Sequence, residues 1–355
     1  MSTVKTISTY PQGGTGQDTL GTAGQVQKVN SGATGMEWGS AGLLNGSDYF
    51  GTGADGSVTI SSNTTLTSDM NYSSLTVDAG YTLNCDGYRV FCTGTVTVNG
   101  SITRNGNDDA VNGGSSGYSA GYYTGVGGDG ATALTGSGPL GGGLGGVKGA
   151  NGTTSYNNAN AAAGATTASG YGYPGANGGE SGRMSGGYSR GTGIGGPITK
   201  NWGVPFDLLT VQTMMMLDFG GQPGGGGGGG GYNTSVPGSA GGGGGCNGGV
   251  IYIAANAIVV GATGIIQANG SDGGNGGSQS SSGGTSGSGG GGGAGGNGGA
   301  IYLISSSYTN SGTVEANGGI GGTKGLGRSG GTLSPVLDGL PGTNGYDGLL
   351  IQMTV

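Results

Sequence analysis

Residues 250–270 read VIYIAANAIVVGATGIIQANG, and residues 300–318 read AIYLISSSYTNSGTVEANG. Each stretch opens on an apolar strand, passes through a second short strand and closes on an Asn-Gly turn. An earlier copy runs from Arg89-Val90-Phe91-Cys92 to Ser101-Ile102-Thr103-Arg104-Asn105-Gly106, and an incomplete one, Gly348-Leu349-Leu350-Ile351-Gln352-Met353, closes the sequence. From the second residue of the first strand to the Asn the spacings are 15, 18 and 16 residues. A unit this short cannot bury its apolar face alone, so the copies are expected to stack.

Stacking of this kind defines an all-β fold, a right-handed parallel β-solenoid. Side chains alternate along a strand, so Ile251 and Ile253 are expected over Val90 and Cys92, with Ile301 and Leu303 beyond them. Phe91, Tyr252 and Tyr302 then form an outward or partner-facing aromatic stripe. Asn105, Asn269 and Asn317 fall at one equivalent turn, where an amide ladder satisfies backbone groups and Asn tolerates the left-handed conformation. Upstream, Ser57-Val58-Thr59-Ile60, Ser74-Leu75-Thr76-Val77, Tyr81-Thr82-Leu83-Asn84-Cys85 and Thr95-Val96-Thr97-Val98 are further short strands between Gly-, Asn- and Asp-rich turns. They assign residues 51–106 to the start of the solenoid and 249–355 to its later turns.

Glycine accounts for 99 of 355 residues, more than a quarter of the chain, against a usual share of about 7%. Nine Pro and no chain-long Gly-X-Y period exclude collagen. A formal net charge of only −7 with 32% apolar residues argues against disorder. There is no His, which removes Ser-His-Asp triads, His-ligated metals and a pH switch near neutrality. Ten basic residues at a pI near 4.3 offer no track for nucleic acid. Cys85, Cys92 and Cys246 lack C-x-x-C spacing and read as small buried hydrophobes. No signal-peptide core follows Met1 and no apolar run is long enough for a membrane span, so synthesis in a cytoplasm without membrane insertion is expected.

The glycines concentrate in three excursions that follow the Asn-Gly turns, residues 107–248, 271–298 and 319–347. If the copies stack, the excursions leave from one corner side by side. Runs such as Gly224–Gly231 and Gly289–Gly293 have no side chains, so extended backbones can pack as a polyglycine-II-like lattice. The long excursion also carries Tyr118, Tyr122, Tyr123, Tyr171, Tyr173 and Tyr188 amid Ser, Gly and Asn, the composition of adaptable binding loops. Two readings of these Tyr stand: receptor contacts, or caps on a lattice poor in other side chains. Residues 205–219, PFDLLTVQTMMMLDF, read as a helix with Asp207 as N-cap, a packing plug before a receptor surface. Asp108, Asp109, Asp129 and Glu180 are the carboxylates available for glycoside cleavage, but their setting fits solvated turns better. No cofactor or metal is expected.

Residues 1–50 differ from the rest. Pro11-Gln12-Gly13-Gly14-Thr15-Gly16 precedes Gly21-Thr22-Ala23-Gly24-Gln25-Val26 and then Gly35-Met36-Glu37-Trp38-Gly39, with Val26, Val29, Met36 and Trp38 flanking a hairpin turn. The GGTG…GTAGQV…EWG order resembles a repeat of bacteriophage tail-fibre and adhesin proteins. That resemblance implies attachment to other tail or capsid proteins through Gly13, Gly14, Gly16, Val26 and Trp38. It also implies a homotrimer on the virion and recognition of a host surface glycan or outer-membrane protein without catalysis. A capsid decoration or head-fibre protein and a polysaccharide-degrading tailspike are the alternatives.

Overall fold

The computed structural model describes residues 25–29, 36–40, 49–107, 110–112, 117–118, 122–123, 125–142, 145–152, 178–179, 226–229, 238–279, 287–328 and 338–355. The chain divides into two units, residues 1–49 and 50–355. In the first, β1 (Gln25–Val29) and β2 (Met36–Ser40) form the antiparallel hairpin expected there, with Val26 opposite Gly39 and Trp38 opposite Gln27.

The second unit is all-β and built on two parallel sheets, an arrangement compatible with a β-solenoid. The long strands β3 (Gly56–Ile60), β5 (Met70–Val77), β7 (Arg89–Val98), β11 (Val250–Val260), β13 (Ala300–Asn310) and β15 (Leu349–Thr354) pair in chain order in a six-stranded sheet. The short strands β4 (Thr64–Thr65), β6 (Thr82–Asn84), β8 (Ser101–Thr103), β12 (Ile265–Gln267) and β14 (Thr313–Glu315) do the same in a five-stranded one. Two small strands in the long excursion, β9 (Gly117–Tyr118) and β10 (Tyr122–Tyr123), pair antiparallel. Although more than 140 residues separate β8 from β11, β11 pairs with β7 as its next neighbour.

Rows of identical position make the core. Val77, Val98 and Val260 stack across β5, β7 and β11; Leu75, Val96 and Ile258 form the next row; Val90, Ile253 and Leu303 form a third. From the short sheet Leu83, Ile102 and Ile266 close the interior, and all of these side chains are fully buried. Each contributes about 1.5–3 kcal/mol by leaving water. In the last turns the first row becomes Asn310 and the third Gln352, and the row of Cys92 and Ala255 becomes Ser305 and Thr354, so the stack grows polar towards β15.

Three expectations need correcting. Ile251 and Ile253 do pair with Ile301 and Leu303, but Val90 lies opposite Ile253 and Cys92 opposite Ala255. β11 begins two residues earlier than β7 in the common frame, and β7 carries an extra residue at Thr93–Gly94. At that bulge a Cβ on Gly94 would lie 2.4 Å from the Ser73 carbonyl, so only glycine fits. Second, Tyr252 and Tyr302 face away from the core as an aromatic stripe, with centroids 6.4 Å apart and Phe91 5.7 Å from Tyr252, yet they are only 5% and 6% exposed. The two tyrosines are covered within the chain, and Phe91 is half-buried. Third, Asp86, at φ 49°, is the one described non-glycine residue in the left-handed region, so the turn asparagines do not use it.

Candidate functional site

Each sheet runs on directly into glycine. Residues 268–279 and 316–328 continue from β12 and β14, whereas 238–249, 287–299 and 338–348 lead into β11, β13 and β15. Segments that extend the same sheet bond in parallel: the N–H groups of Gly242, Gly245 and Gly248 donate to the carbonyls of Gly291, Ala294 and Asn297. Segments from different sheets bond antiparallel, as Gly290, Gly293, Gly296 and Gly299 donate to Gly277, Gly274, Ser271 and Ala268. The bonds recur every third residue, the period of an extended threefold helix rising about 3.1 Å per residue.

Segment 238–249 sits at the centre. Its backbone bonds to Val111, to 125–131, to Val147 and Ala150, to Gly227, to 271–277 and to 288–297, six neighbours in all directions. Every residue of it is buried. A Cβ on Gly242 would come within 2.0 Å of the Gly274 carbonyl, and one on Gly293 within 1.9 Å of the Gly243 carbonyl. Only a chain without side chains can pack at this distance, which offsets glycine's high ordering entropy with a full set of backbone hydrogen bonds.

Glycine placement therefore records neighbours face by face. In 287–299 two of the three faces are pure glycine, and the third holds only Ser288, Gly291, Ala294 and Asn297. In 316–328 the outer face carries Asn317, Ile320, Thr323 and Leu326. At the edge, 339–348 is a strict Gly-X-Y run: Gly339, Gly342, Gly345 and Gly348 donate to Gly325, Gly322, Gly319 and Ala316, and the X and Y residues are exposed, with Asn344 and Asp347 reaching back to the N–H groups of Gly321 and Gly318. The triplet is local and its glycines pack on other glycine segments, not in a triple helix.

Side chains supply acceptors where backbone does not. Asn105 Oδ1 accepts the Asn269 N–H at 2.8 Å and Asn269 Oδ1 accepts the Asn317 N–H at 2.7 Å, so the three expected turn residues form one ladder. Glu315 ties it sideways, accepting Asn269 Nδ2 at 2.8 Å and Asn317 Nδ2 at 2.9 Å. Two further ladders escaped sequence reasoning: Asn112 to Asn275 to Thr323 (2.7 and 2.8 Å), and Asn247 to Asn297 to Tyr346 (both 2.9 Å). Their signal was the three-residue spacing Asn269, Asp272, Asn275, Ser278 within the glycine runs.

Arg104 fastens the glycine segments to the sheets. It is 2% exposed, and its guanidinium donates to Asp86 Oδ1 at 3.2 Å and to the carbonyls of Thr135 at 2.6 Å and Gly141 at 3.3 Å. Burial pulls its pKa down, partly offset by Asp86. Gly138 and Leu140 complete the joint through the carbonyls of Asp86 and Gly87.

Gly125 donates to Gly238, Gly152 to Gly125, Gln279 to Leu326, and Gly287 bridges Arg328. Tyr118 and Tyr122 are register partners in the β9–β10 pair, with Tyr123 opposite Gly117. Tyr171, Tyr173, Tyr188, Glu180, Asp108, Asp109, residues 205–219 and Gly13, Gly14 and Gly16 lie outside the described residues. Asp129 pairs with Lys148 at 2.6 Å, both exposed. Among the described residues no group of His, Cys, Asp and Glu could hold a metal ion, and no helix is long and apolar enough to cross a membrane. No family model matches the chain, and neither the curated proteins nor the solved structures contain a match.

Proposed function

We propose that the chain is a structural protein of a bacteriophage virion, a tail-fibre or receptor-binding adhesin that engages a host surface glycan or outer-membrane protein without catalysis. In this reading the two sheets are a right-handed β-solenoid and the glycine segments a polyglycine-II-type apex. Residues 1–50 attach the chain to its particle, and three copies assemble. The observation that carries the proposal is the glycine lattice in which segment 238–249 is hydrogen-bonded through its backbone to six neighbours. A scaffold fixed by backbone bonds limits the ordering cost of binding, and several copies per particle add effective concentration. The attachment reading rests on the GGTG…GTAGQV…EWG resemblance.

The test uses the purified full chain, labelled and mixed with a panel of bacterial cells, and then in competition with phage particles. Saturable binding to the strains the phage infects, with loss of adsorption, is the expected result. Absence of binding to any infected strain overturns the adhesin reading. Labelling of capsids rather than tails moves the chain to a head fibre, and release of oligosaccharides from host polysaccharide makes it a tailspike enzyme.

A further inference from the structure

Asn-Gly recurs throughout this chain, and it is the dipeptide most prone to self-modification, because an unhindered glycine N–H can attack the neighbouring side-chain amide. The lattice blocks that attack almost everywhere. In every other fully described Asn-Gly pair the glycine N–H donates to a backbone carbonyl, as Gly106 to Asn269, Gly270 to Asn317, Gly298 to Tyr346 and Gly345 to Gly319. The side-chain oxygens of Asn105, Asn269, Asn275, Asn297 and Asn344 are held as well, each by a backbone N–H of the next segment.

Asn317-Gly318 differs in what its glycine N–H meets. Asn317 is exposed, and as the last rung of its ladder its side-chain oxygen accepts no backbone N–H among the described residues. The Gly318 N–H donates to a carboxylate, Asp347 Oδ1 at 3.1 Å, instead of a carbonyl. The amide nitrogen of Asn317 donates to a second carboxylate, Glu315 Oε2 at 2.9 Å. A base thus touches the nucleophile and a second carboxylate touches the leaving group.

We infer that Asn317-Gly318 is a site of self-catalysed succinimide formation, with Asp347 as general base. The Gly318 nitrogen passes its proton to Asp347 and its electron pair bonds to Asn317 Cγ. The Cγ–Nδ2 bond then breaks, and the nitrogen leaves as ammonia with the proton returned through the adjacent carboxyl groups. Water opens the five-membered ring to aspartate or isoaspartate, so water is the sole co-reactant. The product places a third negative charge between Glu315 and Asp347 and removes the Asn317 Nδ2–Glu315 bond at the open end of the ladder.

The test is peptide mapping of the folded full-length protein during incubation at mildly alkaline pH, with mass detection of deamidation and succinimide at each Asn-Gly. Conversion at Asn317 at least about tenfold faster than at Asn269 or Asn344 is expected, with Asp347→Asn removing that advantage and Asp347→Glu restoring part of it. Equal rates at all pairs in the folded protein, or an Asn317 rate unchanged in Asp347→Asn, overturns the inference. Should Asp347→Asn unfold the chain, every pair will convert. Glu315→Gln then reads the same step: slower conversion at Asn317 supports the assignment and an unchanged rate rejects it.

Discussion

The side-chain carbonyl of Asn247 accepts the backbone N–H of Asn297 at 2.9 Å, and both residues are buried between glycine segments. Asn297 repeats the gesture one layer on, towards the N–H of Tyr346. Truncating Asn297 to Ala strands that N–H, and a loss of about 1–3 kcal/mol in urea unfolding is expected. Asn344→Ala removes an equivalent acceptor for Gly321 at an exposed position, where water substitutes, and should cost under about 1 kcal/mol.

Glycine substitutions sort by face. Gly293→Ala drives a methyl group into the Gly243 carbonyl, and overpacking against backbone that cannot move should cost about 1–3 kcal/mol or more. Ile320→Ala, on the outer face of 316–328 and 63% exposed, should stay within about 0.5 kcal/mol of the parent. Thermal unfolding of the two variants side by side checks the contrast.

The Arg104–Asp86 joint makes a third prediction. Asp86→Asn leaves the guanidinium charge buried without its counter-ion, and a loss of about 3 kcal/mol is expected. Adding Arg104→Met to that variant removes the stranded charge and should recover part of the loss. The double-mutant cycle measured by denaturant unfolding reads the coupling. Recovery of nothing would mean that the guanidinium acts mainly through Thr135 and Gly141.

Alkaline pH should unfold the chain through its buried acids. Burial pushes Tyr72, also facing Asp55 and Cys85, from 10.0 up to about 12, Tyr252 to about 12 despite Arg89, and Cys85 from 9.0 to about 12. These groups stay protonated in the fold but ionise in the unfolded chain once pH passes their ordinary values. Their contribution is complete below about pH 9 and disappears progressively as pH rises towards 12. A falling Tm across that window checks it. At the acid end Asp338 acts oppositely: its hydrogen bond with Lys324 holds its pKa below 3.8, so its contribution persists above that value and is lost as pH falls through the lowered one.

The repeat itself was legible because Ile251–Ile301 and Asn269–Asn317 recur with nearly constant spacing, and such pairs stack in register. The two-residue offset of Val90 was not. Nothing in a local sequence marks where a glycine segment ends and β11 begins, and the bulge at Gly94 shows only as one more small residue. The burial of Tyr252 and Tyr302 was equally hidden, since alternation tells which side of a sheet a ring faces but not what lies over it. The ladders of Asn112 and Asn247 were overlooked for another reason: long glycine runs read as featureless until they are counted in threes.

The six-neighbour packing around 238–249 bears on how such a chain changes over generations. A core of interlocking side chains couples each residue to the shapes around it, so alterations at one end are felt throughout. Here the interior consists of the repeating backbone, identical at every layer, and holds no shapes to match. A layer can therefore be gained or lost without reshaping those beside it.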